Sequence, residues 1–202
     1  MVKAVARQPV PARRANAERS IAAILEAGTR LLSADPGAGV ADIAREAGVG
    51  RVTLYGHFPS REALVDAVLD HAVRMADGVL EDDRIDTAPP PEAMEGLLRS
   101  SWEVLDRHRR LFLAADRALP TERIRERHER PLRRVERLIA RGRETGDFRT
   151  DLPLQWLVTA FFAILHSAAQ ELETGRLAPD EVEKVLVTTM LSLLRPPVAK
   201  RT

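Results

Sequence analysis

Apolar residues recur along this chain at steps of three and four, and no stretch alternates over the length of a strand. Ile21, Ile24, Leu25, Gly28, Leu31 and Leu32 line one face of a first helix, for which Asn16 is the expected N-cap. The run Asp35-Pro-Gly-Ala-Gly39 stops it. Val40, Ile43, Ala44 and Ala47 then mark a short helix. Gly48 stands just past its end, where a left-handed residue is favoured, and Val49 plugs the turn. A second short helix runs from Arg51 to Phe58, with Leu54 and Phe58 four apart and facing inward. Pro59-Ser60 breaks it, and Ser60 caps a long helix striped by Leu64, Val65, Val68, Leu69, Ala72, Met75, Ala76, Val79 and Leu80. That helix ends in Glu81-Asp-Asp83, read as a solvated loop.

The same period continues to the C-terminus. Pro89-Pro-Pro91 opens a helix from Glu92 to Arg107, and another covers Arg109 to Ala118. One long helix is expected from Thr121 to Thr145, kinked or broken at Pro131. After Gly146-Asp-Phe-Arg149, a helix starting near Pro153 carries Leu154, Trp156, Leu157, Phe161, Phe162, Ile164 and Leu165. It is apolar almost all round, which predicts burial on more than one side. Pro179 opens the last helix, striped by Val182, Val185, Leu186, Thr189, Met190 and Leu193. The fold class is all-α. The expected organisation is a mobile basic arm over 1–15, a three-helix unit over 16–62 and, joined to it by the long helix, a larger helical domain over 63–202.

Charge sharpens this division modestly. The net charge is +1, but residues 1–62 hold nine Lys/Arg against six Asp/Glu, while 63–202 hold 22 against 24. A polyanion would dock on the N-terminal third. The nine arginines between Arg123 and Arg143 interleave with Glu122, Glu126, Glu129, Glu136 and Glu144 at helical pairing distance, the pattern of a solvated, ion-paired face. The chain has no cysteine, so disulfides and thiolate metal sites are excluded. The N-terminal basic residues are not followed by an apolar signal segment, and the best apolar run, Trp156 to Ala169, is too short to span a bilayer. A cytoplasmic protein without membrane attachment is the expectation.

Two short helices joined by a tight glycine turn and flanked by apolar residues form a helix-turn-helix, whose second helix enters the DNA major groove. The outward residues of that helix are Arg51, Val52, Thr53, Tyr55, Gly56 and His57. Arg51 can pair bidentately with a guanine edge, and Val52 can pack on a thymine methyl. Thr53, Tyr55 and His57 supply donors for phosphate oxygens, and Arg61 stands at the mouth of the next helix. The stretch Ala47-Gly-Val-Gly-Arg-Val-Thr-Leu-Tyr-Gly-His-Phe-Pro-Ser-Arg-Glu-Ala-Leu64 resembles the signature of the TetR family of bacterial transcriptional regulators, and the close likeness covers residues 17–69. Three glycines depart from the family pattern: Gly39 and Gly50 replace hydroxyl residues at the starts of the two short helices, and Gly56 replaces a larger residue.

The resemblance implies an operator-binding homodimer, most often a repressor, released from palindromic or near-palindromic double-stranded DNA by a small-molecule effector. Carried over by position, Arg51 and Val52 read bases. Thr53, Tyr55, His57 and Arg61 hold phosphate, together with the backbone N–H of Gly50. An effector pocket would draw on Met75, Trp102, Leu105, Phe112, Phe161, Phe162 and His166, although aromatics at helical spacing are more often plain core. No acidic pair appears in that set, so an apolar or aromatic effector is expected. The dimer would use the last two helices, through Ala160, Ile164, Ser167, Ala168, Leu186, Met190 and Leu193, with Trp156 as a further candidate. No catalytic residue, cofactor or metal is expected. The chain offers no HExxH, phosphate-binding glycine loop or histidine pair at ligand spacing, and its histidines at 71, 108, 128 and 166 belong to different segments. An enzyme and a non-specific nucleoid-type DNA binder are the competing classes.

Overall fold

The computed structural model describes residues 10–79 and 84–197, and every regular element among them is helical. The elements are α1 (Val10–Ala34), α2 (Val40–Glu46), α3 (Arg51–His57), α4 (Arg61–Val79), α5 (Arg84–Thr87), α6 (Pro90–Arg107), α7 (Arg109–Ala118), α8 (Thr121–Arg127), α9 (Glu129–Glu144), α10 (Leu154–Glu173) and α11 (Val182–Leu194). They form two compact units: residues up to Ala72 with Arg110–Pro120, and Val73–Arg109 with the chain from Thr121 onward. The expected boundary at 62/63 therefore falls too early. The apolar stripe of α4, Leu64, Val65, Val68 and Leu69, is buried, and its first three turns belong to the first unit's core.

That first unit is built around Ile24, Leu32, Ile43, Leu54, Leu64 and Leu69, all at most 1% exposed. Gly28 explains how closely α1 and α4 approach. A Cβ there would stand 2.5 Å from Val68 Cγ2, so only glycine fits the crossing. Helix α1 begins earlier than its expected cap, at Val10, which places Asn16 inside the helix. There its side-chain oxygen accepts from Arg19, one turn on, instead of capping. Residues 10–15, assigned to a mobile arm from their composition, are helical, and residues 1–9 of that arm lie outside the described residues.

The second unit packs α10 on α9 and α11, and α11 on α6. Met94, Leu98, Leu138, Ile139, Leu157, Leu186 and Met190 are among its most deeply buried side chains, each at most 2% exposed. The helix expected over 121–145 is two. Helix α8 ends at Arg127, His128 forms the junction, and Pro131 falls in the first turn of α9. A proline tolerates that place because the first-turn N–H groups have no intrahelical acceptor. The break thus sits three residues before the proline. Residues 80–83, which include the whole acidic segment Glu81-Asp-Asp83, lie outside the described residues, and the short α5 after it escaped the sequence pattern. Its carbonyls have a tertiary partner: Arg141 donates to Ala88 O at 2.8 Å and to Ile85 O at 2.7 Å.

At the end of α9, Gly146 adopts φ 81°, and the chain folds back so that Phe148 N–H donates to Gly142 O at 2.8 Å. The Phe148 ring, 3% exposed, lies directly on Gly142. Gly146-Asp-Phe-Arg149 is therefore a helix stop that drives an aromatic ring into the core.

Candidate nucleic-acid interface

The turn between α2 and α3 has the geometry its sequence calls for. Gly48 has φ 67°, Val49 N–H donates to Ala44 O, and Gly48 N–H donates to Arg45 O, which together make a Schellman stop. Gly39 and Gly50 occupy the N-cap positions of α2 and α3 with extended backbone, and neither end has a side-chain cap. Helix α3 is fixed from within by Leu54, fully buried, and by Phe58, 9% exposed. Its other positions turn outward: Arg51, Val52, Thr53, Tyr55 and Gly56 are exposed and His57 is half-buried. Val52 is the extreme case, 87% exposed on a short amphipathic helix. A Cβ at Gly56 would meet nothing within 4 Å, so no protein contact dictates glycine there.

The start of α4 is ordered as expected. Ser60 Oγ accepts from Ala63 N–H at 3.1 Å. Main-chain N–H donation, then the Ser60 hydroxyl, holds the Glu62 carboxyl below its ordinary range. Arg61 is placed differently from the outward residues of α3. It is half-buried, and its guanidinium donates to Ala38 O at 2.6 Å and Pro36 O at 3.1 Å. It clamps the loop that presents the N-terminus of α2, because carbonyls left over by the Asp35–Gly39 turn need a donor. The guanidinium expected to hold phosphate thus also has a structural task in this loop.

The candidate effector residues separate. Leu105 and Phe161 are core, Trp102, Phe112, Phe162 and His166 are half-buried, and Met75 is 63% exposed. Phe112 belongs to the first unit, the other six to the second. Phe162 and His166, one turn apart on α10, stack with ring centres 4.0 Å apart. The residue that joins them is His128, 5.3 Å from each ring and edge-on to both. Sequence reasoning passed over it, since its place depends on the α8–α9 break and on the packing of α9 against α10, which no local pattern encodes. Burial, then the neighbouring His166, lowers the His128 pKa to about 4 against a small opposing contribution from Ile124 O.

The expected dimer residues also separate. Ala168, Leu186 and Met190 are buried in the protomer's own core and are not available to a second copy. Ala160, Ile164 and Leu193 are half-buried, and Ser167 is exposed. The outward face of α10 instead carries Trp156, 59% exposed, in line with Ala160, Ala163 and Ser167, and α11 adds Val185 at 42%. Among the described residues no helix is long and apolar enough to cross a membrane, and no cluster of metal-ligating side chains occurs.

A profile described as bacterial regulatory proteins, tetR family, matches residues 24–68, the stretch from the core face of α1 through α3 into α4. Over those residues the chain is similar to the TetR family. It is 31% identical over 87 residues to the HTH-type transcriptional repressor LfrR of Mycolicibacterium smegmatis, a match covering 43% of this chain and 46% of that repressor, less than half its length. The TetR-type fold extends over nearly the whole chain. The structure of RolR in complex with resorcinol has a TM-score of 0.67 at 24% identity, over 90% of both chains. That of LfrR from Mycobacterium smegmatis with proflavine has a TM-score of 0.59 at 21% identity, over 88% of this chain and 97% of that one.

Proposed function

We propose that this chain is a TetR-family, sequence-specific DNA-binding transcriptional regulator and not an enzyme. It acts as a cytoplasmic repressor that a small-molecule effector releases from a palindromic or near-palindromic double-stranded operator. The observation that carries the reading is the outer face of α3. An aliphatic side chain as exposed as Val52, beside Arg51 and Tyr55 on a helix held rigidly by Leu54 and Phe58, is a contact surface without its partner. A major groove supplies that partner: a thymine methyl for Val52, a guanine edge for Arg51, and phosphates for Thr53, Tyr55 and His57. The backbone N–H of Gly50 adds a donor. The open space around Gly56 leaves room for close approach of DNA backbone to the helix.

Two copies are needed to read two half-sites. The face of α10 bearing Trp156, Ala160, Ala163 and Ser167, with Ile164 and Leu193 beside it and Val185 on α11, is the proposed homodimer surface. It replaces the more buried set expected from periodicity. An effector-responsive repressor is supported by the likeness to LfrR, named as a repressor, and by relatives of the fold crystallised with resorcinol and proflavine. The test is selection of bound DNA from a random pool, followed by affinity for the selected palindrome and for random duplex across a salt series. A ratio of 10³ or more is expected for a specific regulator. A ratio near one identifies a non-specific nucleoid-type binder and overturns the reading.

A further inference from the structure

The start of α2 is ordered from a distance. Gly39 holds its N-cap position with extended backbone and no side-chain cap. A side-chain oxygen at that position ordinarily accepts from a first-turn N–H and fixes the helix end. The loop before it spends Asp35 on its own N–H groups: Gly37 N–H donates to Asp35 Oδ1 at 2.8 Å and Ala38 N–H to Asp35 O at 3.1 Å. The carbonyls of Pro36 and Ala38 accept instead from Arg61, at 3.1 Å from Nη2 and 2.6 Å from Nη1. The two terminal nitrogens of one rigid fork thus hold two alternate carbonyls of the loop. Arg61 is half-buried where Arg51 is exposed. All these residues belong to the first unit, and the Schellman stop at Gly48 passes the placement of α2 on to α3.

We propose that Arg61 is a positioning residue for DNA binding: by holding the Pro36 and Ala38 carbonyls it replaces the missing α2 cap and fixes where α2 and α3 meet the groove. The inference rests on the regulator reading above and adds a residue that acts without touching DNA. A phosphate contact and a clamp differ in what their loss changes. A cation on a phosphate displaces a counterion, so removing it lowers the salt dependence of binding. A clamp narrows the arrangements that the loop and α2 adopt before DNA arrives. Removing it weakens every sequence alike and leaves the salt dependence as it was. A clamp is also replaceable by a local cap. Gly39 has φ −79° and ψ 151°, a conformation open to serine, and an added Cβ would stand 3.0 Å from the flexible Asp42 carboxylate alone.

Arg61→Met, Gly39→Ser and the double variant are compared with the parent, all as full-length chains. Amide exchange at Ile43, whose N–H donates to Gly39 O in the first turn of α2, is followed by NMR without DNA. Affinity for the selected palindrome is measured across a salt series, well below the unfolding temperature of each variant. Arg61→Met should speed Ile43 exchange and weaken the palindrome each about fivefold, as for a lost helix cap, with base preference and salt slope unchanged. In the Gly39→Ser background the same substitution should cost less than about twofold, because a local cap already holds α2. A slope that falls by about 0.9 per half-site identifies a phosphate contact. Equal losses in the two backgrounds show that positions 39 and 61 act independently. Either result overturns the proposal. Should Arg61→Met fail to fold, Arg61→Lys, which keeps the charge and gives up the fork, takes its place, and parent-like exchange and affinity then overturn the clamp. Unchanged Ile43 exchange beside intact operator binding defeats only the clamp. Faster exchange without any specific operator defeats the regulator reading and, with it, the role of Arg61 in DNA binding.

Discussion

Alanine at Gly142 should change sign with its neighbour. Gly142 lies in α9 beneath the ring of Phe148, and an added Cβ would stand 2.1 Å from Cδ2, 2.5 Å from Cε2 and 2.7 Å from Cγ. Ordinary contact begins near 3.4 Å, so a rigid ring must retreat by more than 1 Å. It has little room to do so, being 3% exposed and tied to the helix by its own N–H on Gly142 O. Overpacking of this kind costs about 3 kcal/mol. Glycine to alanine inside a helix returns about 1 kcal/mol. Gly142→Ala should therefore destabilise the protein by about 2 kcal/mol. Phe148→Ala alone should cost about 3–5 kcal/mol through the lost side chain and the cavity. With the ring gone, nothing opposes the new methyl, and Gly142→Ala added to Phe148→Ala should stabilise by about 1 kcal/mol. Urea unfolding of the four proteins at pH 7 measures the cycle, whose expected coupling is about 3 kcal/mol. Equal effects of Gly142→Ala in both backgrounds would refute the packing argument.

Four further outcomes follow from the same observations. His128 has a folded-state pKa of about 4 against an ordinary 6.5, so the unfolded chain takes up the proton first; its contribution to stability is intact above pH 6.5 and is lost as pH falls toward 4, at up to about 1.4 kcal/mol per pH unit. Urea midpoints at pH 7 and pH 5 should converge in His128→Gln relative to the parent, and an unchanged difference would remove His128 as the cause. Gly56→Ala should raise stability by about 1 kcal/mol in thermal or urea unfolding, since the methyl enters open space. Arg51→Ala should cost about 1–3 kcal/mol in DNA affinity and relax the preference at one position per half-site, whereas Tyr55→Ala should weaken all sequences alike; competition binding with single-base operator variants distinguishes the two. Trp156→Glu should yield monomers in sedimentation, and a dimer that survives it would locate the interface away from the outer face of α10.

The DNA-facing half of the candidate site was legible because it is local. A glycine turn, two apolar anchors four residues apart and a proline stop specify a helix-turn-helix within some twenty residues, and the outward positions follow from helical geometry alone. Arg61 shows where this ends: its place on a helix start suggested phosphate, but the carbonyls it serves at Pro36 and Ala38 lie more than twenty residues away and reach it only through the fold.

In the second unit the sequence by itself determined that there are helices, roughly where they lie, and that the fold is all-α, because periodicity and proline or glycine punctuation are properties of neighbouring residues. The tertiary structure decided which stripe faces which helix. Met190, Leu186 and Trp156 read alike as interface candidates on apolar helices, yet packing against α6 and α10 consumes the first two and leaves Trp156 outside. It also decided that His128 and His166, thirty-eight positions apart in the chain, share one cluster. A hydrophobic pattern says that a residue wants a neighbour and cannot say which one, since burial is non-directional and only the packed chain chooses the partner.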